Sequence, residues 1–178
     1  MIGTPTVVRP PLSLRQRALT WLAQREHSRQ ELHDKLQRWV QALQVAHSLQ
    51  PDIEKRDPPT EAQIPALLDA LESAGHLSDA RVVESRIHAR APKFGNLRIE
   101  RELRHLGVGA SEEARSALRA SEAERARGVW ARKFAQRPAC AAERARQMRF
   151  LASRGFTADT IRDVLNSAPE DDVLATGD

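Results

Sequence analysis

The sequence predicts an all-α protein built as an elongated array of three tandem three-helix repeats. Its composition is that of helical surfaces, because 29% of the 178 residues are charged and only 4% are aromatic. The repeat is visible in RIERELRHLGV and RARQMRFLASRGF, where Leu103 and Gly107 stand 48 residues before Leu151 and Gly155. A weaker copy, RQELHDKLQRWV, spans 29–40 and lacks the closing glycine. Such repeats are typical of small helical units that stack to bury their apolar faces.

The first repeat is predicted over residues 13–77, after a disordered N-terminus at 1–12 that contains two adjacent prolines. Ser13 is followed three residues later by glutamine, and Ser28 by glutamate. In this pattern the serine oxygen accepts a hydrogen bond from the free N–H groups of a helix's first turn. Each serine is therefore predicted to begin a helix.

A proline-rich insertion near 42–59 interrupts the first repeat. The apolar stripe of the second helix runs into this insertion, to about Leu49. Because Pro65 would remove an early intrahelical hydrogen bond, the third helix is predicted to become regular near Ile64. It should end at Gly75, since glycine readily closes a helix.

The second repeat is predicted over residues 78–120. Its first helix begins near Asp79, and Asn96 is predicted to cap the second. Gly107 is placed to take the left-handed conformation that closes this helix. Ser111 should then cap a third, short helix.

The third repeat is predicted over residues 121–168 and follows the same plan. Ser121 is expected to cap its first helix, Gly155 to close the second and Thr157 to cap the last. The three repeats thus contain nine predicted helices in three sets of three. An acidic tail follows at 169–178, and it either solubilises the end of the chain or screens the basic third repeat.

Several functional classes are disfavoured by what the sequence lacks. No apolar run approaches the roughly 18 residues that span a bilayer, so we expect a cytoplasmic protein. Cys140 is the only cysteine, which excludes an internal disulfide and a cysteine-based zinc site. The six histidines lack metal-ligand spacing, and no carboxylate accompanies a nucleophile and base. We therefore expect no catalytic residues, no metal and no cofactor, in a protein that is not an enzyme and is a monomer.

The distribution of charge is the strongest functional signal in the composition. The chain carries a net charge of only +4, but residues 125–154 hold nine basic side chains against one acidic side chain. Residues 1–75, in contrast, are balanced. Arginine dominates the basic stretch, which suits bidentate contacts to carboxylate or phosphate groups. A polyanion or an acidic protein surface is the expected partner of the third repeat.

Four stretches together resemble the RecX family, bacterial regulators of the RecA recombinase. They are HSRQELHDKL, GHLSDAR, KFGNLRIERELRHLGV and FLASRGFTADTIRDVL, in that order along the chain. The resemblance implies tandem three-helix units that bind in the helical groove of the RecA filament on DNA. It also implies inhibition of ATP hydrolysis, strand exchange and co-protease activity in recombination and the SOS response.

Combining the charge pattern with the resemblance gives a set of candidate residues for contacts to acidic RecA surface or to DNA phosphate. The set consists of basic side chains on the second and third repeats: Arg98, Arg101, Arg104, Arg125, Arg132, Lys133, Arg144, Arg146, Arg149 and Arg154. Two other functions remain open. One is a helical protein that binds DNA directly without RecA, and the other is a passive scaffold for another protein.

Overall fold

The computed structural model describes residues 12–49, 58–134 and 136–167. The predicted disordered N-terminus except Leu12, the centre of the predicted insertion and the acidic tail lie outside these residues. The chain divides into two compact units, unit 1 at residues 1–79 and unit 2 at residues 80–178. Each unit has its own core.

Every regular element in the described parts of the chain is helical, as the sequence predicts. Residues 12–49, 58–134 and 136–167 contain eight α-helices, and a 3₁₀ turn leads directly into the third of them. The helices are α1 (Leu14–Leu22), α2 (Arg29–Leu49), α3 (Ile64–Ser73), α4 (Asp79–Arg90), α5 (Asn96–His105), α6 (Glu112–Phe134), α7 (Ala141–Ser153) and α8 (Ala158–Ser167).

Most of the predicted helix starts are confirmed by hydrogen bonds from the first turn. Ser13 Oγ accepts from the N–H of Gln16 at 3.2 Å, and the Gln16 side chain accepts in return from the N–H of Ser13. The other serine and threonine caps accept in the same way, from residues three positions later: Ser28, Ser111 and Thr157. Local sequence therefore determines where these helices begin.

The predicted helix start at Ser121 is wrong. This residue lies inside α6, which runs without a break from Glu112 to Phe134, and its hydroxyl donates to the carbonyl of Ala117 at 2.8 Å. A serine within a helix often bonds back in this way to the preceding turn. Two of the nine predicted helices are consequently one, whereas the limits of the repeats stay predictions.

Asn96 is not the cap of α5. Gly95 takes the extended conformation of the capping position, and Asn96 is the first helical residue. The Asn96 side chain is buried and accepts a hydrogen bond from Arg125, while its backbone N–H donates to the carboxylate of Glu122 at 2.8 Å. A side chain from α6 thus replaces the local cap that the sequence predicts.

Unit 1 buries the apolar faces of α1, α2 and α3 against one another. The third helix becomes regular at Ile64, as predicted, and Gly75 follows its last turn with a φ of 72°. Trp21 and Trp39 are partly buried and pack against this core.

Unit 2 contains two apolar clusters. The first joins α4, α5 and the start of α6, and the second joins the rest of α6 to α7 and α8. Gly107 and Gly155 have φ values of 72° and 82°, so both take the left-handed conformation predicted from the repeat. The residue after each glycine, Val108 or Phe156, donates its N–H to the carbonyl of a buried leucine in the preceding helix, Leu103 or Leu151. The two halves of unit 2 therefore share one way of ending a helix.

Candidate functional site

A shallow groove of about 270 Å³ lies on unit 2 and is lined mainly by basic side chains. Arg132 and Lys133 come from the end of α6, Arg154 from the end of α7, and Lys93 from the loop between α4 and α5. Two apolar residues, Val129 and Phe150, also line it. We call this site the cationic groove.

The glycine turn at the end of α7 docks on the first turn of α5. The N–H of Gly95 donates to the carbonyl of Arg154 at 3.0 Å, and the N–H of Leu97 donates to the carbonyl of Gly155 at 3.1 Å. These bonds satisfy carbonyls that the end of α7 leaves open and N–H groups that the start of α5 leaves open. Helices far apart in sequence are thereby joined through their backbones.

The docking requires glycine on both sides. A Cβ at Gly95 would lie closer than 3.0 Å to backbone atoms of Gly155 and Phe156, and one at Gly155 would lie 2.5 Å from Cβ of Arg98. The backbone of Arg98 therefore lies directly against the turn that carries Arg154.

Both arginines lie against aromatic rings next to the groove. The guanidinium carbon of Arg98 is 4.1 Å from the ring centre of Phe94, and that of Arg154 is 5.5 Å from Phe94 and 5.2 Å from Phe150. The edge of one ring meets the face of another between Phe134 and Phe150, whose centres are 5.2 Å apart. Each cation–ring contact contributes roughly 0.5–1 kcal/mol at an exposed site. The stacking orders the guanidinium groups without neutralising them.

The cations of the groove are poorly compensated by acidic side chains. Within residues 12–49, 58–134 and 136–167, no carboxylate lies within ion-pair distance of Lys93, Lys133 or Arg154. Arg132 donates to the carbonyl of Pro92 at 3.1 Å, which leaves its charge uncompensated. In contrast, Arg98 is 3.4 Å from the carboxylate of Glu102. The groove is therefore a region of positive potential, and it is suited to an anionic ligand.

The structure brings only part of the predicted binding set together. Arg132, Lys133 and Arg154 line the groove, and Arg98 lies beside it on Phe94. The remaining exposed or half-exposed members are distributed over α5 and α7 without lining the groove: Arg101, Arg104, Arg144, Arg146 and Arg149. Of these, Arg144 donates to the side chain of Asn166 at 2.9 Å.

Arg125 is placed differently from the other predicted residues. Its guanidinium is turned into unit 2, where it donates to the carbonyls of Ala91, Phe94 and Leu118. Burial lowers the pKa of Arg125, and the nearby carboxylate of Glu122 partly offsets this. Arg125 therefore holds the loop before α5, which carries the groove residue Lys93, against α6.

Lys93 is the groove residue that charge counting misses. It lies more than 30 residues before the basic stretch, in the loop that leads to the docked start of α5. The only sequence signal for it is its position next to Phe94 in KFGN, one of the stretches that carry the family resemblance.

The described residues offer neither a metal site nor a membrane-spanning helix. No group of three or more histidine, cysteine or acidic side chains is arranged to hold a metal ion in that part of the chain. No helix there is both long and apolar enough to cross a bilayer. Cys140 is exposed at the start of α7.

Comparisons with known proteins match the same architecture. The sequence pattern described as RecX, third three-helix domain, matches residues 120–165, and that of RecX, first three-helix domain, matches residues 15–42. The regulatory protein RecX of Leptothrix cholodnii is 48% identical over 162 residues, which cover 90% of this chain and 92% of the relative. The RecX of Ralstonia nicotianae is 41% identical, with 96% of each chain covered.

A solved structure supports the fold independently of close sequence similarity. The crystal structure of RecX from Lactobacillus salivarius superimposes with a TM-score of 0.60 at 19% identity. The match covers 86% of this chain and 92% of that one. The array of helical repeats predicted from the sequence is thereby confirmed.

Proposed function

The chain belongs to the RecX family of regulatory proteins, and from that premise we propose that it binds the RecA filament on DNA and restrains it. The expected effect is a reduction of ATP hydrolysis, strand exchange and co-protease activity, in recombination and in the SOS response. The similarity to named RecX proteins over nearly the whole chain carries this proposal. The protein acts by binding in the cytoplasm, as a monomer, and not as an enzyme.

The cationic groove is the surface that we assign to this contact. Its four basic side chains come from three separate segments. Backbone hydrogen bonds join the start of α5 to the end of α7, and the rings of Phe134 and Phe150 join α6 to α7. A preformed anion-binding surface loses less conformational entropy on binding than separate flexible side chains do. Six further arginines extend the basic surface: Arg98, Arg101, Arg104, Arg144, Arg146 and Arg149. Arg125 supports the groove by holding the loop before α5 in place.

Binding to neighbouring RecA subunits explains inhibition without any chemistry by this protein. A ligand that contacts two subunits stabilises one relative arrangement of them, in proportion to its preference for that arrangement. If ATP turnover requires the subunits to move, such a ligand slows the turnover. A few bound molecules then affect a long filament.

The test is RecA ATP hydrolysis on preformed filaments on single-stranded DNA, with this protein titrated in and binding to naked DNA measured in parallel. We expect inhibition at amounts well below those of RecA, together with weak binding to naked DNA. Tight and salt-sensitive DNA binding without inhibition would contradict the proposal and indicate a protein that binds DNA directly. Salt sensitivity reports contacts to phosphate, because each such contact adds roughly 0.7–0.9 to the slope with which log affinity falls against log salt concentration.

A matched pair of variants makes the test specific to the groove. Lys133 and Arg127 are both exposed on α6, and neither has an ion-pair partner among the described residues. Arg127 precedes the groove residue Val129 by two positions, which is about 200° around the helix, so it faces away. We expect Lys133→Glu to weaken inhibition and Arg127→Glu, with the same change of charge, to leave it intact.

A further inference from the structure

We propose that the cationic groove receives an acidic protein segment that carries an aliphatic side chain, and not a strand of nucleic acid. The inference deepens the proposed function and rests on it for the owner of that segment, which is then the RecA protein of the filament. It follows from the apolar floor of the groove, from the arginines that lie over the neighbouring aromatic rings and from the positions of the basic side chains.

The floor of the groove is apolar while its rim is charged. Val129 is 6% exposed and belongs to the core of unit 2, and Phe150 packs against the same core. Lys93 and Lys133 are exposed at the rim. At about 270 Å³ the groove is just below the range of small-molecule pockets, so it accommodates one or two side chains. A ligand that matches both parts has an apolar side chain flanked by anionic ones.

The aromatic rings are poorly arranged for nucleobases. A base that binds by stacking needs an open ring face. Arg98 and Arg154 lie over Phe94, and Arg154 also lies over Phe150. The guanidinium groups therefore occupy positions that bases would take. A nucleic acid strand brings phosphates for the rim, but on this side its bases meet guanidinium groups in place of the ring faces of Phe94 and Phe150, and its backbone offers little for the apolar floor.

The basic groups are well arranged for carboxylates. A guanidinium held over a ring face keeps N–H groups at its edge that are available for a bidentate contact. Arg154 has such an edge beside the groove, and Lys93 and Lys133 add point charges from two different segments. Two or more carboxylates are thus neutralised around a single apolar side chain.

Direct binding to a defined peptide tests this inference apart from RecA. The probe is a short fluorescent peptide with a central leucine between two pairs of acidic residues, measured by anisotropy against the full chain. The comparison ligands are the same peptide with serine in place of leucine and a fluorescent oligothymidine. We expect the leucine peptide to bind most tightly.

The same charge-matched variants locate the binding. Lys133→Glu should weaken binding of the leucine peptide by about fivefold, because an exposed attraction becomes a repulsion. Arg127→Glu should change it by less than about twofold, since a charge distant from the groove is screened by salt. Equal loss in both variants would overturn the assignment to the groove.

Three further outcomes would overturn the proposal. They are equal binding of the leucine and serine peptides, tighter binding of oligothymidine at the groove, and peptide binding only after residues 169–178 are removed. The last result would assign the groove to the acidic tail of this chain. Inhibition of RecA without peptide binding refutes the groove inference alone. Peptide binding without inhibition of RecA refutes the proposed function and leaves the peptide specificity of the groove intact.

Discussion

Replacing Gly95 by alanine tests the contact on which the candidate site is built. The φ of Gly95 is −80°, so alanine is compatible with the backbone, and the cost arises from the lack of space. Backbone atoms of Gly155 and Phe156 occupy the volume that the new methyl group needs. Because those atoms cannot rotate away as a side chain would, α5 and the end of α7 must separate.

The magnitude follows from what the separation breaks. Two backbone hydrogen bonds, from Gly95 to Arg154 and from Leu97 to Gly155, each contribute about 1 kcal/mol net. Overpacking at a tight site costs a further 1–3 kcal/mol or so. The free energy of unfolding of unit 2 should therefore fall by about 3–5 kcal/mol.

Gly128→Ala is the matched control in the same unit. Gly128 lies within α6, and the nearest atom to an added Cβ is in the side chain of Arg132 at 3.7 Å. Since glycine destabilises a helix interior, this replacement should stabilise unit 2 by about 0.5–1 kcal/mol.

The measurement is urea denaturation followed by circular dichroism, together with hydrogen exchange of peptides from α6, α7 and α8. The exchange data separate unit 2 from unit 1. If the free energies of unfolding of Gly95→Ala and Gly128→Ala differ by less than about 1 kcal/mol, the close approach of α5 and α7 is incorrect. The groove that depends on this approach would then have to be abandoned as well.

Three other changes test buried polar groups by urea denaturation. Arg125→Met should cost about 2–4 kcal/mol because carbonyls in unit 2 lose their donor, and wild-type stability would refute this supporting role. Glu122→Gln should cost about 1–3 kcal/mol, since the carboxylate accepts from Thr157, Thr160 and a backbone N–H, and an unchanged midpoint would contradict that. Burial lowers the pKa of His27 below its ordinary 6.5, so unit 1 should lose stability as the pH falls below about 6.5, and His27→Gln should remove that loss. The same slope in both proteins would exclude His27 as its cause.

The direction of the pH effect on His27 follows from its partners. Its Nε2 lies 2.9 Å from the ammonium nitrogen of Lys35, which only donates, so Nε2 accepts and the proton is on Nδ1, which donates to the carbonyl of Arg25. The folded protein thus favours the neutral ring. Below the unfolded pKa the unfolded chain binds a proton that the folded chain resists, so stability decreases.

Features that depend on one helical turn were predictable from the sequence. The caps at Ser13, Ser28, Ser111 and Thr157 use a side chain and an N–H three residues apart. Ser121 has the same pattern and is nevertheless helical, because the residues before it continue the helix without interruption. A capping pattern indicates a position at which a helix is able to begin. At Ser121 no helix begins, because α6 continues through this residue.

The candidate site was predictable only in part. Arg132, Lys133 and Arg154 belong to a stretch of basic residues that is evident from composition. Lys93 joins them because its loop leads into the docked start of α5, and Arg125 leaves them because buried carbonyls use its donors. Which charges face solvent depends on neighbours that are distant in sequence.

The sequence by itself determined that the described elements are helical, where most of them begin and that glycines close three of them, because these features depend on contacts between residues three to five positions apart. The tertiary structure alone decided the groove. Gly95 and Gly155 are 60 residues apart in the sequence. No pattern in the sequence indicates that they pack together or that a side chain on either would collide with the other segment. Their approach brings the backbones of Arg98 and Arg154 close together, and both guanidinium groups then lie near the ring of Phe94.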